Sequence, residues 1–229
     1  MTAMNRTDSV FHPKDPISSL THFIGFLFSV AATPFTLAYA SRYMSEGFGM
    51  LSVAVFFLTM TLLYGASAGY HAFHISEKAD RLLRKIDHCN IFLLIAGSYT
   101  PVCMLGMNRG HGLFLLAVIW LLAAAGIIFK MVWITCPKWV SSVLYILMGW
   151  VCLIFIPEIR SAIGPLGFAL LLLEGVFYTV GGVIYALKPA IFPKEKETGF
   201  GNHELFHLFV MAGSLFHFLL VLLVLIPMA

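Results

Sequence analysis

Charged residues punctuate this chain instead of covering it. Runs free of Asp, Glu, Lys and Arg occupy 16–41, 47–76, 88–108, 110–129, 139–157 and 205–229, and only Glu174 interrupts the run 161–187. Each can cross a hydrocarbon core of about 30 Å, which takes about 17–25 helical residues. Inside lipid the backbone polar groups must bond within the protein, so such runs are helices or a closed barrel. Alternation with period two is absent, which disfavours the barrel. Only 11% of the 229 residues are charged and 60% are hydrophobic, against about 25% charged in soluble domains. The expected fold is an all-α membrane protein: a tail over 1–16, then one domain over 17–229 forming a seven-transmembrane helix bundle.

Lys and Arg set the expected orientation. Arg6, Lys14, Lys78, Arg81, Arg84, Lys85, Lys130, Lys138, Lys188, Lys194 and Lys196 fall on one side of seven spans, and Arg42, Arg109 and Arg160 on the other. Eleven against three predicts a cytoplasmic N-terminus and an extracytoplasmic C-terminus in the plasma (inner) membrane. The net charge of +3 then reads as topology and contact with anionic membrane lipids, not as a nucleic-acid footprint. The first 16 residues make a poor signal sequence, and Ala38-Tyr39-Ala40 resembles a cleavage site whose use would remove a span. An uncleaved anchor is the expectation. Cys89, Cys103, Cys136 and Cys152 form no C-x-x-C pair and read as free thiols.

The ionisable residues gather at one leaflet. His22, His71, Asp87, His88, His203 and His207 all map to the cytoplasmic ends of their spans. Intramembrane ionisable groups are costly and point to function. His203-Glu204-Leu205-Phe206-His207 matches H-E-x-x-H. Its two imidazoles lie one turn apart on one helix face, a spacing that suits two ligands of one Zn²⁺. His71 is the natural third, and three histidines leave a coordination position open, as in catalytic zinc sites. Asp87 is the candidate acid–base group, with a role in fixing a histidine tautomer as the variant of it. Its structural alternative is an ion pair with Arg84 or Lys85 at the start of the third span. Ser67, four residues before His71, faces the same way one turn deeper; its alternative is a bond to the Leu63 carbonyl. Glu204 sits one position off the ligand face, at a helix start where an acid is favourable. His22 reads either as interfacial or as part of the site, His74 and His88 as local hydrogen-bonders, and Glu174 and His217 as deeply placed polar groups.

Ser67-Ala68-Gly69-Tyr70-His71, then Asp87-His88, then His203 to His207, resemble the hemolysin III family, the bacterial branch of the progestin and adipoQ receptor family, which is related to alkaline ceramidases. The stretches LTHFIG (20–25), DHCNIFLLIAGSYTP (87–101), YILMGW (145–150), GGVIYALKP (181–189) and HELFHLFVMAGSLFHF (203–218) are similar to that family's spans. Bacterial members often carry an acid and an Asn shortly before the first-span Thr-His; here the segment is Asp15 to His22, without the Asn. The resemblance implies seven helices, an intracellular N-terminus, zinc on the three histidines and Asp87 close by. It also implies a link to membrane-lipid homeostasis or, for some members, cytolysis.

Three functions follow as expectations. The first is a zinc hydrolase of a membrane-lipid amide or ester, with Asp87 moving protons and Ser67 steadying the oxyanion. The second is a non-enzymatic, zinc-stabilised lipid sensor or homeostasis factor. The third is an intramembrane metalloprotease with Glu204 as base, disfavoured because none of the four Asp precedes Gly. A retinal-type protein fails for want of a Lys in the last span; a transporter stays open through Glu174 and His217, although neither broken helices nor repeats are evident in the sequence.

Overall fold

The computed structural model describes residues 13–44, 47–192 and 195–229, without the side chains of Glu195 and Lys196. Most of the tail expected over 1–16, with Arg6 in it, and Lys194 lie outside the described residues. The helices are α1 (Pro16–Ala40), α2 (Phe48–Ala72), α3 (Glu77–Leu105), α4 (Arg109–Val132), α5 (Lys138–Gly149), α6 (Ile156–Leu187), the single turn α7 (Glu195–Thr198) and α8 (Asn202–Leu220). No strand occurs among the described residues.

Six helical stretches are long and apolar enough to cross a membrane: Pro16–Ala40, Phe48–Ala72, Glu77–Leu105, Arg109–Val132, Lys138–Leu187 and Asn202–Leu225. Their outer faces carry large exposed apolar side chains such as Phe35, Leu121, Ile154 and Leu187. Apolar surface of that extent is stable against lipid and not against water, so the chain is a multi-pass membrane protein.

Neighbouring helices pack in an order that closes on itself. α2 packs on α1 and α3, α3 on α4, α5 on α6, and α6 on α8, while α1 meets α8. The start of the first long helix therefore lies against the start of the last.

Three local features shape the interior. First, α3 begins ten residues before Asp87. Ser76 caps it, accepting from the Ala79 N–H at 3.2 Å, and Glu77 and Asp80 lie in the first turn. The charged stretch between the runs 47–76 and 88–108 is thus helix, and Asp87, expected at the start of the third span, is well inside it. Secondly, the stretch Lys138–Leu187 is not one rod. A 3-10 turn over Val151–Phe155 separates α5 from α6, and Gly164 interrupts α6 with φ 64 and ψ −176. Glycine adopts that left-handed conformation without a Cβ penalty, and Pro165 restarts the helix where no N–H is needed. Thirdly, at Gly213 a Cβ would stand 2.5 Å from Tyr178 Cε1. The missing side chain is what lets α8 approach α6 at that level. The four cysteines are free, as expected.

Candidate functional site

α2 and α8 bring three imidazoles together. His71 Nε2 and His203 Nε2 lie 3.2 Å apart, and one ring nitrogen from each of His71, His203 and His207 falls within a 4.8 Å group. Two nitrogens each about 2.0–2.1 Å from one tetrahedral zinc stand about 3.3–3.4 Å apart. The donor set fits a zinc ion in number and type, and the His71–His203 pair stands near that spacing. His71 and His207 are almost fully buried, and His203 is half-buried.

The remaining ring positions are organised around this cluster. Asp15 Oδ2 lies 2.8 Å from His71 Nδ1. A carboxylate accepting from Nδ1–H fixes the tautomer whose Nε2 lone pair faces the cluster. Thr21 Oγ1 stands 3.4 Å from His207 Nδ1. The buried His22 ring stacks on His207 with centroids 3.6 Å apart and planes 8° from parallel, so it lies against the cluster and not at the surface.

Asp87 is buried on α3, with Oδ2 3.3 Å from His88 Nδ1. Among the described residues no ion pair joins it to Arg84 or Lys85, and Lys85 Nζ instead donates to the Met131 carbonyl at 2.5 Å. Ser67 Oγ is buried without a partner, so the back-bond to Leu63 is not made. Glu204 serves the helix start: its Oε2 accepts the Gly201 N–H at 2.9 Å and its Oε1 accepts the Ser18 hydroxyl at 2.5 Å. His74 pairs locally with Asp80 at 2.5 Å.

A cavity runs from this cluster into the bundle, walled by α3 on one side and by α5, α6 and α8 on the others. Ser67, Asp87, His203 and His207 line one end. The walls are mostly apolar, with Ile91, Leu94 and Val210 among them. The buried side-chain atoms that lack a hydrogen-bond partner converge here. Among the described residues they belong to His22, Ser67, His88, Ser98, Ser142, His203 and His217, all of which line the cavity, and to Asn202, which does not.

Two features of the site escaped the sequence reading. Asp15 was legible only as an acid at the edge of α1; its partner is 56 positions away on α2. Glu174 and His217 were read as separate deep polar groups, whereas His217 Nδ1 lies 2.7 Å from Glu174 Oε2. No sequence spacing signals either pair, because each joins two helices.

The fold and the buried histidine cluster define a multi-pass helical membrane protein with a candidate metal centre at one end of an apolar cavity. The family model described as haemolysin-III related matches residues 11–218. The chain belongs to that family. It is 33% identical to Hemolysin-3 of Bacillus cereus over 219 residues, covering 96% of this chain and 95% of the relative. It is also 33% identical to the Hemolysin-3 homolog of Bacillus subtilis (strain 168) over 214 residues, covering 93% and 95%. A more distant match, 28% over 183 residues, is the Adiponectin receptor protein of Drosophila melanogaster, with 71% of this chain and 40% of the relative aligned. These matches bear out the resemblance to the hemolysin III family and its tie to adiponectin receptors.

Proposed function

We propose that this chain is a zinc-dependent hydrolase of a membrane-lipid amide or ester, with a role in membrane-lipid homeostasis. The observation that carries the reading is the convergence of His71, His203 and His207 within 4.8 Å beside a cavity that Asp87 and Ser67 also line. On this reading residues 138–163 and 165–187 are separate passes, which makes seven spans. The packing of α5 along α6 and the break at Gly164 support that division. The basic majority then lies with the N-terminus in the cytoplasm, the C-terminus is outside, and the site is near the cytoplasmic leaflet of the plasma (inner) membrane.

His71, His203 and His207 would hold the zinc, and Asp15 would keep His71 in the tautomer that binds. Zinc on such a set supplies Lewis acidity toward a carbonyl and acidifies water. Asp87 takes a proton from the attacking water and returns it to the departing amine or alkoxide. Ser67, whose hydroxyl has no acceptor in the fold, donates to the oxygen that gains charge as the carbonyl is attacked. The apolar walls hold the hydrocarbon chain and keep bulk water from the reacting carbonyl.

Purified wild type should turn over an amide- or ester-linked lipid. Asp87→Asn should abolish turnover while metal analysis still finds zinc. Undiminished turnover in Asp87→Asn, or wild type without stoichiometric zinc, would sink this reading. A second reading, a zinc-stabilised lipid sensor or a cytolysin-related membrane protein without turnover, draws on the relatives' names and on the way the cluster braces α2 to α8. Zinc and lipid binding without turnover on a broad lipid panel would favour it. The metalloprotease reading loses support because Glu204 is held by the Gly201 N–H and the Ser18 hydroxyl.

A further inference from the structure

The cavity has a second polar station that hydrolysis at the histidine cluster does not use. On α8, His217 follows His207 by ten residues and so lies about 15 Å deeper. On α6, Glu174 precedes Tyr185, whose ring stands against His203, by eleven residues, or about 16 Å. On α3, Ser98 follows Asp87 by the same interval and reaches about the same depth. All three line the cavity. His217 and Glu174 are joined at 2.7 Å and are 1% and 6% exposed. His217 Nε2 and Ser98 Oγ have no partner.

Packing alone does not account for these open groups. Buried polar atoms in native folds are almost always bonded. Two other buried hydroxyls return to their own helix: Thr100 to Ala96 at 2.8 Å and Thr59 to Phe56 at 2.9 Å. Tyr64 and Tyr178 close on Ser214 at 2.8 and 3.0 Å, and neither reaches the His217–Glu174 pair. The open groups at this depth therefore face the cavity, with hydrocarbon walls between them and the histidine cluster.

We propose that His217, Glu174 and Ser98 bind a hydroxyl group carried mid-chain by a lipid acyl chain whose carbonyl end lies at the histidine cluster. A hydroxyl both donates and accepts. With Nδ1–H donating to the Glu174 carboxylate, Nε2 is left an acceptor, and a hydroxyl can donate to it while accepting from Ser98 Oγ. A carboxylate would meet the charge of Glu174, and a quaternary ammonium has no hydrogen to give. The inference rests on the function proposed above only in taking the cavity as the place of a lipid chain; it needs neither zinc nor turnover.

The test is competition binding to the purified full chain with three probes: octadecanoic acid, its 12-hydroxy derivative and its 2-hydroxy derivative. Wild type should bind the 12-hydroxy acid about ten- to a hundredfold tighter than the unsubstituted acid, the range of one or two hydrogen bonds to a charged pair. Glu174→Leu and His217→Leu should lose that ratio, and Ser98→Ala should reduce it. Equal affinity of wild type for all three probes overturns the proposal, whether or not the Leu variants fold. A ratio that persists in both Leu variants also overturns it. His207→Ala separates the two ideas: discrimination retained there supports the second station even if zinc is lost, and discrimination lost with the metal refutes it.

Discussion

Asp15 holds His71 twice. Its N–H donates to the His71 carbonyl at 2.9 Å, and its Oδ2 lies 2.8 Å from His71 Nδ1. α2 ends at Ala72, so the His71 carbonyl is one of the acceptors that a helix terminus leaves open. The segment entering α1 supplies the missing donor and at the same moment sets the ring. One short stretch thus finishes a helix and aims an imidazole.

Asp15→Ala should lower zinc affinity by about ten- to a hundredfold, the usual cost of removing the partner of a metal-ligating histidine. Chelator competition on the purified protein measures this directly. Asp15→Asn should fall between the variant and wild type, since an amide oxygen still accepts from Nδ1–H without the charge. Unaltered affinity in both would mean that the bond does not orient His71.

Metal analysis of wild type should find about one zinc per chain, and His71→Ala and His207→Ala should each lose it. Chelation should lower the melting temperature of wild type and leave those variants unmoved. An ion present at a thousand times its dissociation constant adds about 4 kcal/mol to the stability of the state that binds it. A melting curve indifferent to chelator would remove the metal from the fold.

Glu204→Ala should behave as a lost helix cap. The side chain satisfies the Gly201 N–H and receives the Ser18 hydroxyl, and such a loss costs about 1–2 kcal/mol. Thermal unfolding should shift down while zinc content stays at the wild-type level. Abolished turnover in a folded, zinc-loaded Glu204→Ala protein would restore the protease-type role of this residue.

Gly213→Val should force α8 away from α6, because the Cβ position is 2.5 Å from Tyr178 Cε1. Overpacking of this kind costs about 1–3 kcal/mol. The same displacement parts His217 from Glu174, so the variant should melt earlier and lose discrimination for the mid-chain hydroxyl together. A stable variant with intact discrimination would show that the helices accommodate the added methyls without separating.

Much of this molecule was written in plain spacing. The charge-free runs announced the long helices, and the interval between His203 and His207 put two imidazoles on one face of α8. His71 and Asp87 stood out because ionisable groups are rare in or beside such runs, and Ser67 by its spacing of four from His71. What could not be read depended on rotation. A helix that is apolar all round gives no sign of which side meets which neighbour, so the pairing of Glu174 with His217, 43 positions apart, was invisible. The stacking of His22 on His207 needed α1 to close against α8, which no local pattern specifies. The start of α3 was misplaced for the opposite reason: Glu77 to Ile86 is polar enough to resemble a connection, yet Ser76 caps it and the helix simply projects beyond the apolar run.

The order of synthesis gives the histidine cluster another meaning. His71 leaves the ribosome 132 residues before His203, and every intervening helix must be threaded before the two can meet. A chain halted after α6, or one whose last helix enters the bilayer upside down, presents His71 without His203 and His207. On the function proposed above, ion capture would come only once insertion is finished, and a loaded centre would certify that the whole chain has been threaded.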